Sequence, residues 1–319
     1  MTATLPRLWL APMAGYTDTA MRALCHAMGA EATVSEMISA KAVTYRDAKT
    51  VSLGRIQENE GTVFLQIFGR LPSVMAEAAA LLAGGYCGSI PAGIDINMGC
   101  PVPKIAGNGE GSALMKSPTL CYDIVRAVRA ALPAAMPLTV KLRLGWDAGS
   151  QNAAEVAEAV TEGGVSALFL HGRTRAAMYA GEADWEAIAA VAARARVPVI
   201  GNGDITSAAL AVRRLRESGC YGLMIGRGAV GNPFLFREVA AALRGEAPPP
   251  PPTREERVET ALSHLTAAVR DKGERVAVRE ARKQIAAYLH GHPGAAAVRA
   301  AVCAAETYAE VERILKSTL

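Results

Sequence analysis

Two apolar runs carry cations at their ends. The run LTVKLRLG at 138–145 presents Lys141 and Arg143, and ALFLHGR at 167–173 presents His171 and Arg173. In an extended strand successive side chains alternate between faces, so Lys141 shares a face with Arg143, and His171 with Arg173. A strand interior holds such cations only if they have partners. Four of them on neighbouring strands point to an anionic or electron-rich ligand. Two later runs, VPVIGNGD at 197–204 and GLMIGRG at 222–228, end in glycine-rich turns, Gly201-Asn202-Gly203-Asp204 and Gly226-Arg227-Gly228. Small residues ahead of a helix let backbone N–H groups approach an anion, so these turns are candidates to hold a phosphate. Residues 226–231 also match G-x-G-x-x-G, but the acidic residue that a dinucleotide fold requires about 20 positions on falls here in a proline run, so that match is set aside.

One cysteine at a strand end also stands apart from the others. GIDINMG at 93–99 is followed by Cys100 and Pro101, which puts Asn97 and then a cysteine just beyond a strand end. Cysteines 25, 87, 121, 220 and 303 read as small apolar residues. Cys100 differs because glycine and proline flank it, and Lys104 and a glycine-rich stretch at 107–111 follow. The six cysteines form no C-x-x-C pair, so neither a structural metal nor a dithiol is expected.

These residues need a scaffold that gathers strand ends. Short β-branched runs begin at residues 8, 32, 62, 93, 138, 167, 197 and 222, with helical segments such as 72–85, 151–164 and 205–219 between most of them. Eight strand and helix pairs fit a closed (β/α)8 TIM barrel, which takes about 250 residues and places its chemistry at the C-terminal strand ends. The connection from 38 to 61 is the exception, being polar without a long apolar helical face. After Leu243 comes RGEAPPPPPTREER, which reads as an extended linker, and from there on only helical periodicity remains. The expected organisation is a catalytic barrel at 1–244, a proline-rich linker at 245–253 and a small all-helical C-terminal domain at 254–319, with helices at 254–271, 276–289, 295–303 and 307–316.

Composition narrows the class further. The chain has 319 residues, 51% hydrophobic and 20% charged, which suits a globular protein with a sizeable core. No secretory leader and no apolar run of about 20 residues is seen, so a cytoplasmic protein without a membrane partner is expected. A net charge of +4 neither demands nor excludes a polyanion.

On these residues the chain resembles the tRNA-dihydrouridine synthase family, most nearly its bacterial B-type branch. The matching stretches are APMAGYTD at 11–18, QIFG at 66–69, DINMGCP at 95–101, GSALM at 111–115, KLRLGW at 141–146, HGRTR at 171–175, GNGDI at 201–205 and IGRG at 225–228. They run in the family's order across the barrel, and the N-M-G-C-P block is the most specific. The resemblance implies a flavin-dependent oxidoreductase with tightly bound FMN, using NADPH to reduce the C5–C6 bond of particular uridines in tRNA. It implies that Pro12, Met13, Ala14 and Gln66 line the isoalloxazine and that Lys141 and His171 meet its polar edge. Asn202, Gly203, Asp204, Gly226 and Arg227 would hold the phosphate. Asn97 and Arg143 would meet the uracil with Arg173 close by, and Cys100 would give C5 its proton while hydride reaches C6.

The partner implied is tRNA, with no obligate protein partner. A uridine stacked in folded RNA must be splayed out, at about a few kcal/mol, and phosphate contacts must offset that cost. Arg279, Arg282 and Lys283, at i, i+3 and i+4 in the C-terminal helical region, are the expected contacts. The stretch at 281–294 resembles the family's RNA-binding helices, with Gln284 and Ala287 where many relatives carry histidine and tryptophan. Two other readings remain: a flavin barrel acting on a free pyrimidine, as in the dihydroorotate dehydrogenase class, and a barrel kept only as an RNA-binding scaffold.

Overall fold

The structure, a computed structural model, describes residues 5–319, with Lys49 in its backbone alone. Residues 1–4, which include the start expected to lack a leader, lie outside the described residues. The strands are β1 (Leu8–Leu10), β2 (Ala32–Val34), β3 (Ile38–Ser39), β4 (Thr62–Phe68), β5 (Gly93–Met98), β6 (Leu138–Arg143), β7 (Ala167–His171), β8 (Val199–Asn202) and β9 (Gly222–Ile225). All pair in parallel, and β1 meets both β2 and β9 while β2 also meets β4, so the sheet closes on itself. Because β2 and β3 both lie along β4, they fill one place in a barrel of eight.

That break corrects the single run expected from residue 32. Pairing stops at Ser35, whose hydroxyl accepts the Gln66 N–H at 3.0 Å where a strand carbonyl would otherwise do so. Glu36 and Met37 then leave the ladder, and the chain resumes pairing at Ile38. The polar connection beyond it forms two short helices, Ala40–Thr44 and Ala48–Leu53, in place of one long one.

The period-2 alternation sorts the barrel into an outside and an inside. Leu138, Val140 and Leu142 belong to the large core beneath the surrounding helices. The inner set is Trp9, Ala32, Val34, Phe64, Ala167, Phe169, Ile200 and Met224. Trp9 stacks edge-on against Phe64 and Phe169, with centroids 5.0 and 4.8 Å apart, and these rings fill the lower barrel. One step further along the same inward faces the residues turn polar: Gln66, Asp95, Asn97, Lys141, His171 and Asn202. The register aligns Gln66 with Asp95, Asn97 with Lys141, and His171 with Asn202. The sequence thus builds an apolar floor and a polar ceiling at the C-terminal strand ends.

No regular element occupies 245–253, and the helices that follow are Arg254–Lys272, Glu274–Ile285, Ala295–Ala304 and Tyr308–Lys316, with a 3-10 turn at Ala286–Leu289. Their apolar faces form a second core that takes in Phe234 from the last barrel helix. Lys272 donates to Asp18 at 2.7 Å, and the Thr19 hydroxyl donates to Asp271 at 3.0 Å, joining these helices to the first barrel helix. Gly231, at φ +68°, lies so near Ala287 that an added Cβ would sit 2.4 Å from its carbonyl carbon. Gly231→Ala is therefore expected to cost about 2–4 kcal/mol, the left-handed backbone penalty plus overpacking. A thermal melt that leaves Tm within a degree or so of the parent would show that this contact does not fix the docking.

Candidate active site

A cavity of about 740 Å³ opens at the C-terminal end of the barrel. Its wall includes Pro12, Met13, Ala14, Gln66, Asn97, Cys100, Lys141, Arg143, His171, Asn202, Gly203, Asp204, Gly226 and Arg227, all of which the sequence put forward. Tyr16, Met37 and Tyr179 line it as well and were not anticipated.

One chain of hydrogen bonds orders the Cys100 side. Asp95, buried and inward-facing, accepts from Gln66 Nε2 at 2.6 Å and from the Thr139 hydroxyl at 2.7 Å. Gln66 Oε1, its orientation thus fixed, accepts from Asn97 Nδ2 at 2.8 Å. Asn97 Oδ1 in turn accepts the N–H groups of Gly99 and Cys100 at 3.2 and 2.9 Å. On the other side of the residue the Cys100 carbonyl accepts the Ser112 N–H at 3.1 Å, and Gly111, at φ +58°, lets that carbonyl approach where a Cβ would stand 3.0 Å from it. The Cys100 backbone is therefore held at both ends. Burial pushes its thiol above the ordinary range, against smaller opposing effects of the Val102 backbone, Arg143 and Lys141, so it is protonated at neutral pH. Asp95 was overlooked although it shares the face of Asn97, two residues on. Burial raises its carboxyl to about 6, opposed by its hydrogen bonds and by Lys141.

Lys141 is half-buried and donates to Asn202 Oδ1 at 3.1 Å. Among the described residues no carboxylate stands within ion-pair distance of it. Burial first, and then repulsion from Arg143, brings its ammonium down to about 8, partly offset by Asp95 and Cys100. A cation held in this way with one neutral partner leaves room for an electron-rich ligand. Neighbouring His171 accepts from Arg173 Nη1 at 3.3 Å through Nε2, which leaves its proton on Nδ1. Burial and the four surrounding cations hold its pKa well below the usual range, so the ring is neutral.

Arg143 spends Nε on the Gly99 carbonyl and Nη1 on the carbonyls of Thr174 and Met178, at 2.9, 2.8 and 2.7 Å. Arg173, expected beside the substrate, is off the cavity wall. Its guanidinium is committed to both Asp204 carboxylate oxygens, at 2.9 and 2.6 Å, and to the Ala180 and Gly181 carbonyls. Asp204, with φ +52°, also accepts from Arg227 at 3.1 Å and from the Ala183 N–H at 2.8 Å. Burial is the largest single influence on the Asp204 carboxyl and raises it, but the hydrogen bonds from Arg173 and the Ala183 N–H together with the charges of Arg173 and Arg227 outweigh it, and the net shift is downward. Its carboxylate thus steadies Arg227, and only its backbone is left to meet an anion. Gly203 and Gly228 need their missing side chains, since a Cβ would come within 2.4 Å of Ala183 Cβ and 2.2 Å of the Ile205 carbonyl.

The helical region reaches the cavity mouth through Lys283, whose Nζ lies 4.1 Å from the Tyr16 ring centroid. Arg279 and Lys283 are exposed four residues apart. Arg282 departs from the expected basic face, because its guanidinium turns inward and donates twice to the Ala305 carbonyl at a helix C-terminus. Gln284 is buried, and Ala287 packs on Gly231, so neither presents a side chain to a partner as an exposed histidine or tryptophan could.

The dihydrouridine synthase (Dus) family matches residues 9–319, nearly the whole chain. The chain belongs to the dihydrouridine synthase family. Among its relatives, tRNA-dihydrouridine synthase B of Vibrio cholerae is 41% identical over 304 residues, covering 94% of this chain and 91% of that one. The protein of that name from Pseudomonas putida is 40% identical, covering 92% and 85%, and a probable tRNA-dihydrouridine synthase of Treponema pallidum is 40% identical, covering 90% and 85%. Within the dihydrouridine synthases the likeness is to the bacterial B-type branch. Among solved structures, histamine dehydrogenase from Rhizobium sp. 4-9 superposes with a TM-score of 0.56 at 12% identity, over 82% of this chain and 48% of that one. A 2-naphthoyl-CoA reductase superposes at 0.57 and 12% identity, over 75% and 50%, and both show the barrel fold alone. No described helix of this dihydrouridine synthase is long and apolar enough to cross a membrane.

Proposed function

We propose that this dihydrouridine synthase reduces the C5–C6 bond of specific uridines in tRNA, in the cytoplasm, with FMN as bound cofactor and NADPH as electron donor. The observation that carries this reading is a protonated thiol, Cys100, fixed on the cavity wall beside a lysine that has no carboxylate partner among the described residues. FMN, when bound, supplies hydride chemistry that no side chain can. The residues present fit it: Lys141 offers a positive charge to an electron-rich ring edge, and neutral His171 offers a further polar contact. Pro12, Met13, Ala14 and Gln66 line the ring, while Asn202, Gly203, Gly226, Arg227 and the Asp204 backbone hold the phosphate. The cavity volume lies in the upper part of the range of about 300–1,000 Å³ usual for such ligands.

Asn97 acts on the uracil chiefly by setting the Cys100 loop, since both ends of its amide are engaged. Arg143 has Nη2 left for the base once its other nitrogens are spent on carbonyls. Arg173 serves by holding Asp204 and so Arg227. Cys100 gives its proton to C5 of the uracil. The barrel at 1–244 carries this chemistry, 245–253 links it, and the helices at 254–319 hold the RNA through Arg279 and Lys283, with Arg282 keeping their frame.

The test is anaerobic: FMN-loaded protein is reduced with NADPH, then mixed with an unmodified tRNA transcript or with free uridine or orotate. The flavin absorbance is expected to return with tRNA and to stay bleached with the small pyrimidines. The reverse pattern would move the substrate to the small-molecule class.

A further inference from the structure

Outside the cavity, two loops and the end of a 3-10 helix, Gly111–Lys116, converge on Trp146 at the C-terminal rim of the barrel. It lies three residues beyond the end of β6 and is half-buried. Lys116 Nζ stands 3.4 Å from its ring centroid and the Arg175 guanidinium carbon 4.5 Å from it. The loops are laced together by their backbones: Arg175 N–H donates to the Gly145 carbonyl at 2.9 Å, and Ala176 N–H to the Trp146 carbonyl at 2.8 Å. Asn152 ties down the segment before Lys116 by donating to the Met115 carbonyl at 2.7 Å.

Two like charges are therefore held against one ring, and among the described residues neither has a carboxylate within ion-pair distance. The nearest acid in sequence, Asp147, is occupied with Gly149 and Ser150. Arg175 Nε is buried without an acceptor among the described residues. A stack that served only the fold would gain from a counter-charge, whereas this one suits an anion arriving from outside.

Its position suggests which anion. Around the closed sheet β6 is four strands from β1 in either direction, so Trp146 faces the β1 loop across the mouth. That loop carries Tyr16, on which Lys283 of the helical region rests. The cavity mouth is thus flanked on opposite edges by an aromatic ring bearing cations that have no acidic partner among the described residues. None of Lys116, Trp146 and Arg175 lines the cavity itself.

We propose that Lys116 and Arg175, held on Trp146, bind phosphates of the RNA strand on one side of the target uridine, while Lys283 on Tyr16 meets the strand on the other side. This rests on tRNA being the substrate. A strand crossing the mouth between two such points, with one base turned down into the barrel, must be unpaired on both sides of that base. The barrel rim then selects uridines in loops, beyond any contact made by the helices.

The experiment measures binding and turnover of an unmodified tRNA transcript by the FMN-loaded protein and by its Lys116→Ala/Arg175→Ala double variant across a salt series. The expected result is a roughly tenfold higher tRNA Kd and KM in the double variant, with kcat at saturating tRNA close to that of the parent. The slope of log Kd against log salt should fall by about 0.7 for each single-strand phosphate that the variant no longer neutralises. Trp146→Ala should reproduce the weaker binding and Trp146→Phe should largely retain it, while FMN affinity and Tm report whether each variant is folded. If the folded double variant keeps the Kd, KM and salt slope of the parent, the rim site is refuted and the tRNA reading stands. If the parent neither binds nor reduces tRNA, both fall together.

Discussion

Cys100→Ala is expected to separate the two halves of the reaction. Reduction of bound flavin by NADPH should proceed as in the parent, while reduction of uridine should fall by about two to four orders of magnitude, the range for losing a general acid. The expectation rests on how the residue is held. Asn97 takes the Cys100 N–H and Ser112 donates to its carbonyl, so the thiol occupies a defined place on the cavity wall. Burial raises its pKa above the ordinary thiol value, so the proton is present throughout the neutral range. The pH dependence follows in sign: an acid must be protonated to act, so the uridine half-reaction should be flat through neutrality and fall only on the alkaline side. The alanine variant should lack that alkaline fall, because the group that titrates is gone. A variant that reduces uridine at the parent rate would remove Cys100 from the chemistry.

Lys141→Met is expected to move two observables in opposite directions. In the flavin-free protein Lys141 titrates near 8 against an ordinary value of 10.5. Between those values the unfolded chain binds more protons than the folded one, so this group makes stability rise with pH across that window. Below it the full penalty applies, up to about 3 kcal/mol, and less to the extent that cavity water reaches the ammonium. The methionine variant without flavin should therefore be more stable than the parent at pH 7, with the gap closing towards pH 10. Flavin reduction by NADPH should meanwhile slow by about two orders of magnitude, as when one preorganised donor is removed from a charge-stabilising site. Equal flavin reduction in the two proteins would show that Lys141 does not act on the cofactor.

Much of this site was legible in the sequence because a barrel turns one-dimensional position into geometry. A polar residue at the C-terminal end of a strand, on the inward alternation, must face the mouth, and Gln66, Asn97, Lys141 and His171 all do. The helical register after residue 253 was legible for a related reason, since apolar spacing marks a buried face whatever it packs against. What escaped depends on partners distant in sequence. Arg173 and Arg282 look like their neighbours in the chain, yet each is drawn inward by acceptors, Asp204 and the Ala305 carbonyl, that only tertiary structure supplies. The break in the second strand turns on one hydroxyl, that of Ser35, standing in for a ladder carbonyl. Tyr16, Tyr179 and Trp146 lie on loops, where no periodicity says which way a ring points. Asp95 could have been found by the alternation that singled out Asn97, and its place at the head of the hydrogen-bond chain to Cys100 gives it more weight than its motif suggested.

The central claim is tested most directly by incubating the FMN-loaded protein with NADPH and tRNA that lacks dihydrouridine, then mapping the product by mass spectrometry of nuclease fragments. The expected product is a gain of two hydrogens at one defined uridine in a loop, absent without NADPH and formed about two to four orders of magnitude more slowly with Cys100→Ala. Unaltered tRNA, recovered while the bound flavin is still reduced and reoxidised, would contradict it.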